Sequence, residues 1–120
     1  MKRVLVVEDS VSIRQKIHEI LLNNGYSVEE AIDGMDGMRK LEGAAYDCII
    51  TDINMPNMNG IELIKKVRSQ DGNKLVPILV LTTESQADML RLGRKAGATG
   101  WLVKPFNEDK LIKTLGRIIE

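Results

Sequence analysis

The sequence predicts an α/β protein, a parallel sheet with helices packed on both faces. Five short apolar runs punctuate its 120 residues, and an amphipathic stretch follows each one. Two of the runs, Val4–Val7 and Pro77–Thr82, are continuously apolar, as strands covered on both faces are. Strands alternating with helices at this spacing form parallel sheets joined by right-handed crossovers.

The first strand is Val4–Val7, which stops at Glu8-Asp9. Ile13, Ile17, Ile20 and Leu21 then recur at helical spacing, and Gly25 supplies a stop. Val28–Ile32 is the second strand, and Met35, Met38 and Leu41 mark the helix after it. Cys48–Thr51 is the third strand. The helix that follows opens after Asn59-Gly60 and shows Leu63, Ile64 and Val67 on one stripe. Pro77–Thr82 precedes a helix marked by Met89, Leu90, Leu92 and Ala96, ending at Gly97. Trp101–Val103 is the fifth strand. Leu111, Leu115 and Ile118 define the last helix, with Asn107 as its N-cap after Pro105.

Composition removes whole classes of function. Lys and Arg number 17, Asp and Glu number 17, and the net charge is zero. Nucleic-acid binding by counterion release needs clustered cations, and so does a polybasic membrane anchor. No apolar run approaches the ~18 residues of a membrane span. The run at the N-terminus is too short for a signal peptide and reads as a strand. Cys48 is the single cysteine, so neither an internal disulfide nor a thiolate metal cage is available. It lies in an apolar run and reads as a buried, inert thiol. The expectation is one cytoplasmic, monomeric domain over residues 1–120, with no output domain attached. The neutral total hides an imbalance. Residues 28–62 carry eight acidic and two basic residues, whereas residues 63–120 carry eleven basic and six acidic ones.

Ligand sites in open parallel sheets form at the carboxyl ends of the strands. Glu8 and Asp9 end the first strand, Asp52 the third, Thr82 the fourth and Lys104 the fifth. Each is unremarkable alone, as a helix cap, a strand end or a surface lysine. Together they close four strands at one edge. Three carboxylates in one crevice repel, and a hard divalent cation with oxygen ligands offsets that. Mg²⁺ could be held by Asp9 and Asp52, with Glu8 acting through water and the Asn54 backbone carbonyl adding an oxygen. A carboxylate can attack a phosphoryl group to give an aspartyl phosphate. The metal, the Lys104 ammonium and the Thr82 hydroxyl would neutralise the charge on the transferring oxygens.

Four segments carry a resemblance. They are Val4-Leu5-Val6-Val7-Glu8-Asp9, Thr51-Asp52-Ile53-Asn54-Met55-Pro56-Asn57-Met58-Asn59-Gly60, Val80-Leu81-Thr82-Thr83, and the run from Ala96 to Phe106 containing Lys104-Pro105. They resemble the receiver domain of bacterial two-component response regulators, over essentially the whole chain. The resemblance implies a flavodoxin-like (βα)5 doubly wound sheet of order 2-1-3-4-5. It makes Asp52 the phosphoacceptor, and Glu8 and Asp9 ligands for Mg²⁺, with Mn²⁺ as a substitute. Thr82 becomes the switch hydroxyl, Lys104 the phosphoryl partner and Trp101 the switch aromatic. It also implies a cis Lys104-Pro105 bond and a structural role for Gly60 in the loop motif. Asn54, Thr83 and Glu84 would tune the lifetime of the phosphoryl group. The sequence departs from the family pattern in having Trp101 where Tyr, Phe or His is usual. It also has Thr83 where a small residue is common, and Glu8 where Asp is commoner.

Within the family the chain resembles the single-domain, CheY-like chemotaxis regulators. That type implies a CheA-like histidine kinase as donor, a flagellar motor switch protein as partner and a phosphatase. Its output face would comprise Met89–Lys95, Trp101 and Lys110–Arg117. A phosphorelay intermediate serving a histidine phosphotransfer protein is the alternative. Such a chain catalyses only its own phosphorylation and dephosphorylation. An aspartyl-phosphate hydrolase of the haloacid dehalogenase type would want an acid where Asn54 stands. A flavin or nucleotide module would want glycines in Glu8-Asp9-Ser10-Val11-Ser12, which has none. His18, one place off the buried stripe, is expected to be exposed and inert.

Overall fold

The computed structural model describes residues 1–83 and 87–119. Its strands are β1 (Arg3–Val7), β2 (Ser27–Ala31), β3 (Cys48–Asp52), β4 (Ile78–Thr82) and β5 (Gly100–Val103). The helices are α1 (Val11–Asn23), α2 (Gly34–Gly43), α3 (Gly60–Ser69), α4 (Ala87–Ala96) and α5 (Glu108–Ile119), with a 3-10 turn at Asp71–Asn73. Every strand pair is parallel, and the order is β2-β1-β3-β4-β5, the flavodoxin-like order.

Alternation along each strand splits the core into two layers. On one face Val4, Val6, Cys48, Ile50, Leu79 and Leu81 pack with Ile17 and Leu21 of α1 and Leu111 and Leu115 of α5. On the other, Leu5, Val7, Ile49, Ile78 and Val80 pack with Leu41 of α2 and Leu63, Ile64 and Val67 of α3. The register sets Val7 beside Thr51, Asp52 beside Leu81 and Thr82 beside Val103. Residues that end β1, β3, β4 and β5 therefore share one edge.

Side chains start the helices where the sequence offers oxygen acceptors. Ser10 Oγ accepts from Ile13 N–H, Asp33 Oδ1 from Asp36 N–H and Asn107 Oδ1 from Lys110 N–H. Asn59 and Glu62 form a reciprocal capping box on α3. Gly25, at φ +85°, lets the chain leave α1, and Gly97, at φ +120°, does the same for α4.

Some boundaries and faces differ from the sequence expectation. β2 is shifted by one residue, and Ile32 lies outside it, exposed. On α2 the inward residues are Gly34, Gly37 and Leu41, while Met35 points to solvent. The reason is close packing: a Cβ on Gly37 would sit 3.1 Å from Val7 Cγ2. Leu92 of α4 is exposed, and Gly93 is the buried residue of that helix. His18 is half-buried, not exposed, with its Nδ1 2.6 Å from Glu30 Oε2. Arg14 binds the other oxygen of Glu30 from the preceding turn of α1, so both side chains lie against β2. Among the described residues no helix is long and apolar enough to cross a membrane.

Candidate functional site

The carboxyl edge of the sheet gathers three carboxylates and one ammonium. One oxygen from each of Glu8, Asp9 and Asp52 lies within 4.8 Å of the others. Lys104, the residue after β5, reaches back across the edge. Its Nζ donates to Asp52 Oδ2 at 3.0 Å and to Glu8 Oε1 at 3.2 Å. Glu8 is fully buried, Asp52 is nearly so, and Asp9 is exposed. The pocket thus has a dry floor and an open rim.

Each carboxylate is held by local backbone. Asp52 Oδ1 accepts from Ile53 N–H at 2.8 Å, and Glu8 Oε2 from Ser10 N–H at 3.2 Å. Arg14 Nη1 donates to the Glu8 carbonyl at 2.7 Å and fixes the turn that aims Glu8 inward. No hydrophobic period marks Arg14 for this task; its place one turn into α1, over the strand end, is the only signal.

Burial pushes the Glu8 carboxyl up to about 7, helped by the neighbouring charge of Asp52 and a hydrogen bond with Asp9. The Ser10 N–H and Lys104 oppose that rise. For Lys104, burial works against the ammonium, but the hydrogen bond and charge of Asp52, then Glu8, hold it above its ordinary value. One ammonium facing three carboxylates leaves an excess of negative charge. All donors are hard oxygens, so the set fits Mg²⁺.

The other sequence-predicted residues fall around this centre. Thr82 is buried at the end of β4, and its hydroxyl donates to the Thr83 carbonyl at 3.2 Å. The Lys104 N–H donates to the Thr82 carbonyl at 2.6 Å, tying the ends of β4 and β5. The Lys104-Pro105 bond is cis. Gly60 lies so close to β3 that a Cβ would press into the Asp52 carbonyl and Ile53 Cα. Asn54 is exposed on the loop after Asp52. Glu84 lies outside the described residues. Trp101 is 39% exposed, with the Arg94 guanidinium 4.7 Å from its ring centre. Cys48 is buried, which pushes its thiol up to about 12, in keeping with an inert residue.

The chain is similar to known proteins over nearly its whole length. Residues 4–116 match the family described as response regulator receiver domain. The chain is 34% identical over 119 residues to the chemotaxis protein CheY of Pseudomonas aeruginosa, covering 98% of this chain and 96% of that protein. It is 33% identical over 119 residues to the chemotaxis protein CheY-3 of Vibrio cholerae, covering 98% and 92%. Among solved structures, the chemotaxis response regulator CheY4 of Vibrio cholerae superposes with a TM-score of 0.94 at 50% identity, covering 98% of both chains. The receiver domain of sensor histidine kinase PA1611 from Pseudomonas aeruginosa superposes with a TM-score of 0.91 at 30% identity, covering 98% and 97%. That structure has a magnesium ion coordinated in its active-site cleft.

Proposed function

Because the chain belongs to the response regulator receiver domain family, we propose that it is a signalling switch set by phosphorylation of Asp52. The observation that carries this is the Asp52 carboxylate at the strand edge, 3.0 Å from the Lys104 ammonium and clustered with Glu8 and Asp9.

An Asp52 oxygen forms a bond to the phosphorus of a kinase phosphohistidine as the P–N bond breaks. The imidazole nitrogen leaves with the electron pair and takes a proton from solvent. Asp9, Asp52 and the Asn54 carbonyl, with Glu8 acting through water, would hold Mg²⁺, which would supply positive charge for the phosphoryl oxygens. Lys104 already faces Asp52 and passes to a phosphoryl oxygen without leaving the pocket. Thr82 turns its hydroxyl from the Thr83 carbonyl to the same group. Phosphorylation adds about −1.5 to −2 charges at neutral pH, so the residues that answer it must carry positive charge or donate hydrogen bonds.

Movement of Thr82 vacates space beneath β5, and Trp101 swings inward from its place under Arg94. The face formed by Met89–Lys95, Trp101 and Lys110–Arg117 then changes shape and charge. A partner that binds one form of this face shifts the equilibrium by its differential affinity. The similarity to proteins named for chemotaxis supports a chemotactic partner, which we take to be a flagellar motor switch protein. The phosphoryl group would come from a CheA-like kinase and be removed with the help of a phosphatase, all in the cytoplasm.

The direct test is incubation with Mg²⁺ and a small-molecule phosphoryl donor. The expected result is one added phosphoryl group, mapped by mass spectrometry to Asp52, with a change in Trp101 fluorescence. Asp52→Asn should abolish both. A folded, Mg²⁺-loaded protein that takes up no phosphoryl group, or takes it up elsewhere, refutes the assignment. Capture of a histidine phosphotransfer protein by the phosphorylated form, in place of a motor protein, would overturn the chemotaxis role.

A further inference from the structure

The loop that follows Asp52 is fastened to the start of α2, the helix that packs beside α3 on the same face of the sheet. Asn57 is the one non-glycine among the described residues with a left-handed backbone, at φ +70°. In that conformation its Nδ2 donates to Asp33 Oδ2 at 2.8 Å. The other Asp33 oxygen accepts from Asp36 N–H at 2.8 Å, so one buried carboxylate both caps α2 and holds the loop. The next residue along each segment adds a second contact. Gly34 presses against Met58 so closely that a Cβ there would sit 2.7 Å from the Met58 carbonyl oxygen. Met58 is itself buried. The far end of the loop is pinned by the Gly60 N–H on the Ile53 carbonyl at 2.8 Å.

Nothing in the phosphoryl chemistry requires Asp33 or Asn57. Among the described residues, neither makes a hydrogen bond or ion pair to Glu8, Asp52 or Lys104. Yet the segment they hold, Ile53–Asn59, carries the Asn54 peptide immediately after the phosphoacceptor. Asn tolerates the left-handed region better than other side-chain-bearing residues, and its short amide reaches a neighbouring carboxylate from there. The Asp36 and Asn57 hydrogen bonds hold the Asp33 carboxyl below the usual carboxylate range, so it stays a charged acceptor.

We propose that the Asp33–Asn57 pair is a positioning latch, which sets the Asn54 carbonyl for Mg²⁺ and thereby sets the metal affinity of the switch. The inference rests on the reading of Glu8, Asp9, Asp52 and Asn54 as the Mg²⁺ site. Outer partners of this kind change metal affinity by about 10–100-fold when removed, because they orient ligands they do not replace.

The experiment is Mg²⁺ titration by calorimetry on the wild-type chain and three variants, with a thermal melt of each in chelator. Asn57→Gly keeps the left-handed backbone and deletes the latch; it should weaken Mg²⁺ binding about tenfold while the melt in chelator stays cooperative, lowered only by the one lost hydrogen bond. Asn57→Asp sets two carboxylates against each other and should also weaken binding, although added negative charge alone would tighten it. Combining Asn57→Asp with Asp33→Asn restores one donor facing one acceptor in reversed order, and should return affinity to within about threefold of wild type. That recovery separates a latch from a general packing role. Wild-type affinity in Asn57→Gly overturns the latch, and so does a folded exchange variant that recovers nothing. A wild-type chain that binds no Mg²⁺ overturns the metal site itself, a result distinct from either.

Discussion

Protein stripped of divalent cations should lose stability as pH rises from about 5 to about 8, the reverse of ordinary acid unfolding. The cause is Glu8. Burial, then the charge of Asp52, places its folded value at about 7, against 4.5 for the unreacted side chain. Between those values the folded state holds a proton that the unfolded chain has released. The unfolding free energy therefore falls by about 1.4 kcal/mol for each pH unit. Across the window the loss reaches about 3 kcal/mol, or about 10 °C in melting temperature for a domain of this size. The other shifted groups near the site act elsewhere. Asp33 is depressed, so its contribution is lost only as pH falls below its ordinary value of 3.8. Lys104 is raised, so its contribution is lost only as pH climbs past its ordinary value of 10.5. Glu8→Gln isolates the effect. The variant should match wild type near pH 5, where Glu8 is protonated, and exceed it by about 3 kcal/mol at pH 8. Urea denaturation in chelator at pH 5, 6, 7 and 8 measures the difference. Saturating Mg²⁺ should reverse the wild-type slope, because the metal then takes the place of the proton. A flat or rising wild-type profile in chelator, or an equal slope in Glu8→Gln, refutes a buried, proton-holding Glu8.

Three further outcomes follow from single contacts. Gly60→Ala forces a Cβ into the Asp52 carbonyl and should cost about 3 kcal/mol in urea denaturation, with a parallel loss of phosphorylation. Cys48, pushed up to about 12, holds about one thiolate in ten thousand at pH 8. A thiol reagent should therefore modify it only as fast as the protein opens, and the labelling rate should rise in step with urea. Arg94→Ala removes the cation from the Trp101 ring, at a cost of about 0.5–1 kcal/mol. It should shift the resting tryptophan emission while leaving phosphoryl uptake at Asp52 unchanged, which stopped-flow fluorescence and intact mass can separate.

Which of these residues the sequence could reveal depends on how each does its work. Glu8, Asp9, Asp52, Thr82 and Lys104 are legible because a parallel register converts strand ends into neighbours: Val7 beside Thr51 and Thr82 beside Val103 suffice to line them up. Their chemistry is carried by charge and hydroxyl groups, which a sequence displays directly. The orientation of α2 is not legible in the same way. Hydropathy ranks Met35 above Gly34, yet Gly34 faces inward because the Met58 backbone occupies the space where a side chain would go. A close backbone approach leaves no periodic trace, and a glycine reads equally well as a turn. Arg14 reaches the Glu8 carbonyl across six residues, and Asn57 reaches Asp33 across twenty-four, both through loop conformations that no helical or strand period encodes. The charged groups of the site are thus written as residue types at strand ends. The groups that aim them are written only in the three-dimensional path of the loops, so substitutions at Arg14, Asp33 and Asn57 should reveal roles that their residue types do not announce.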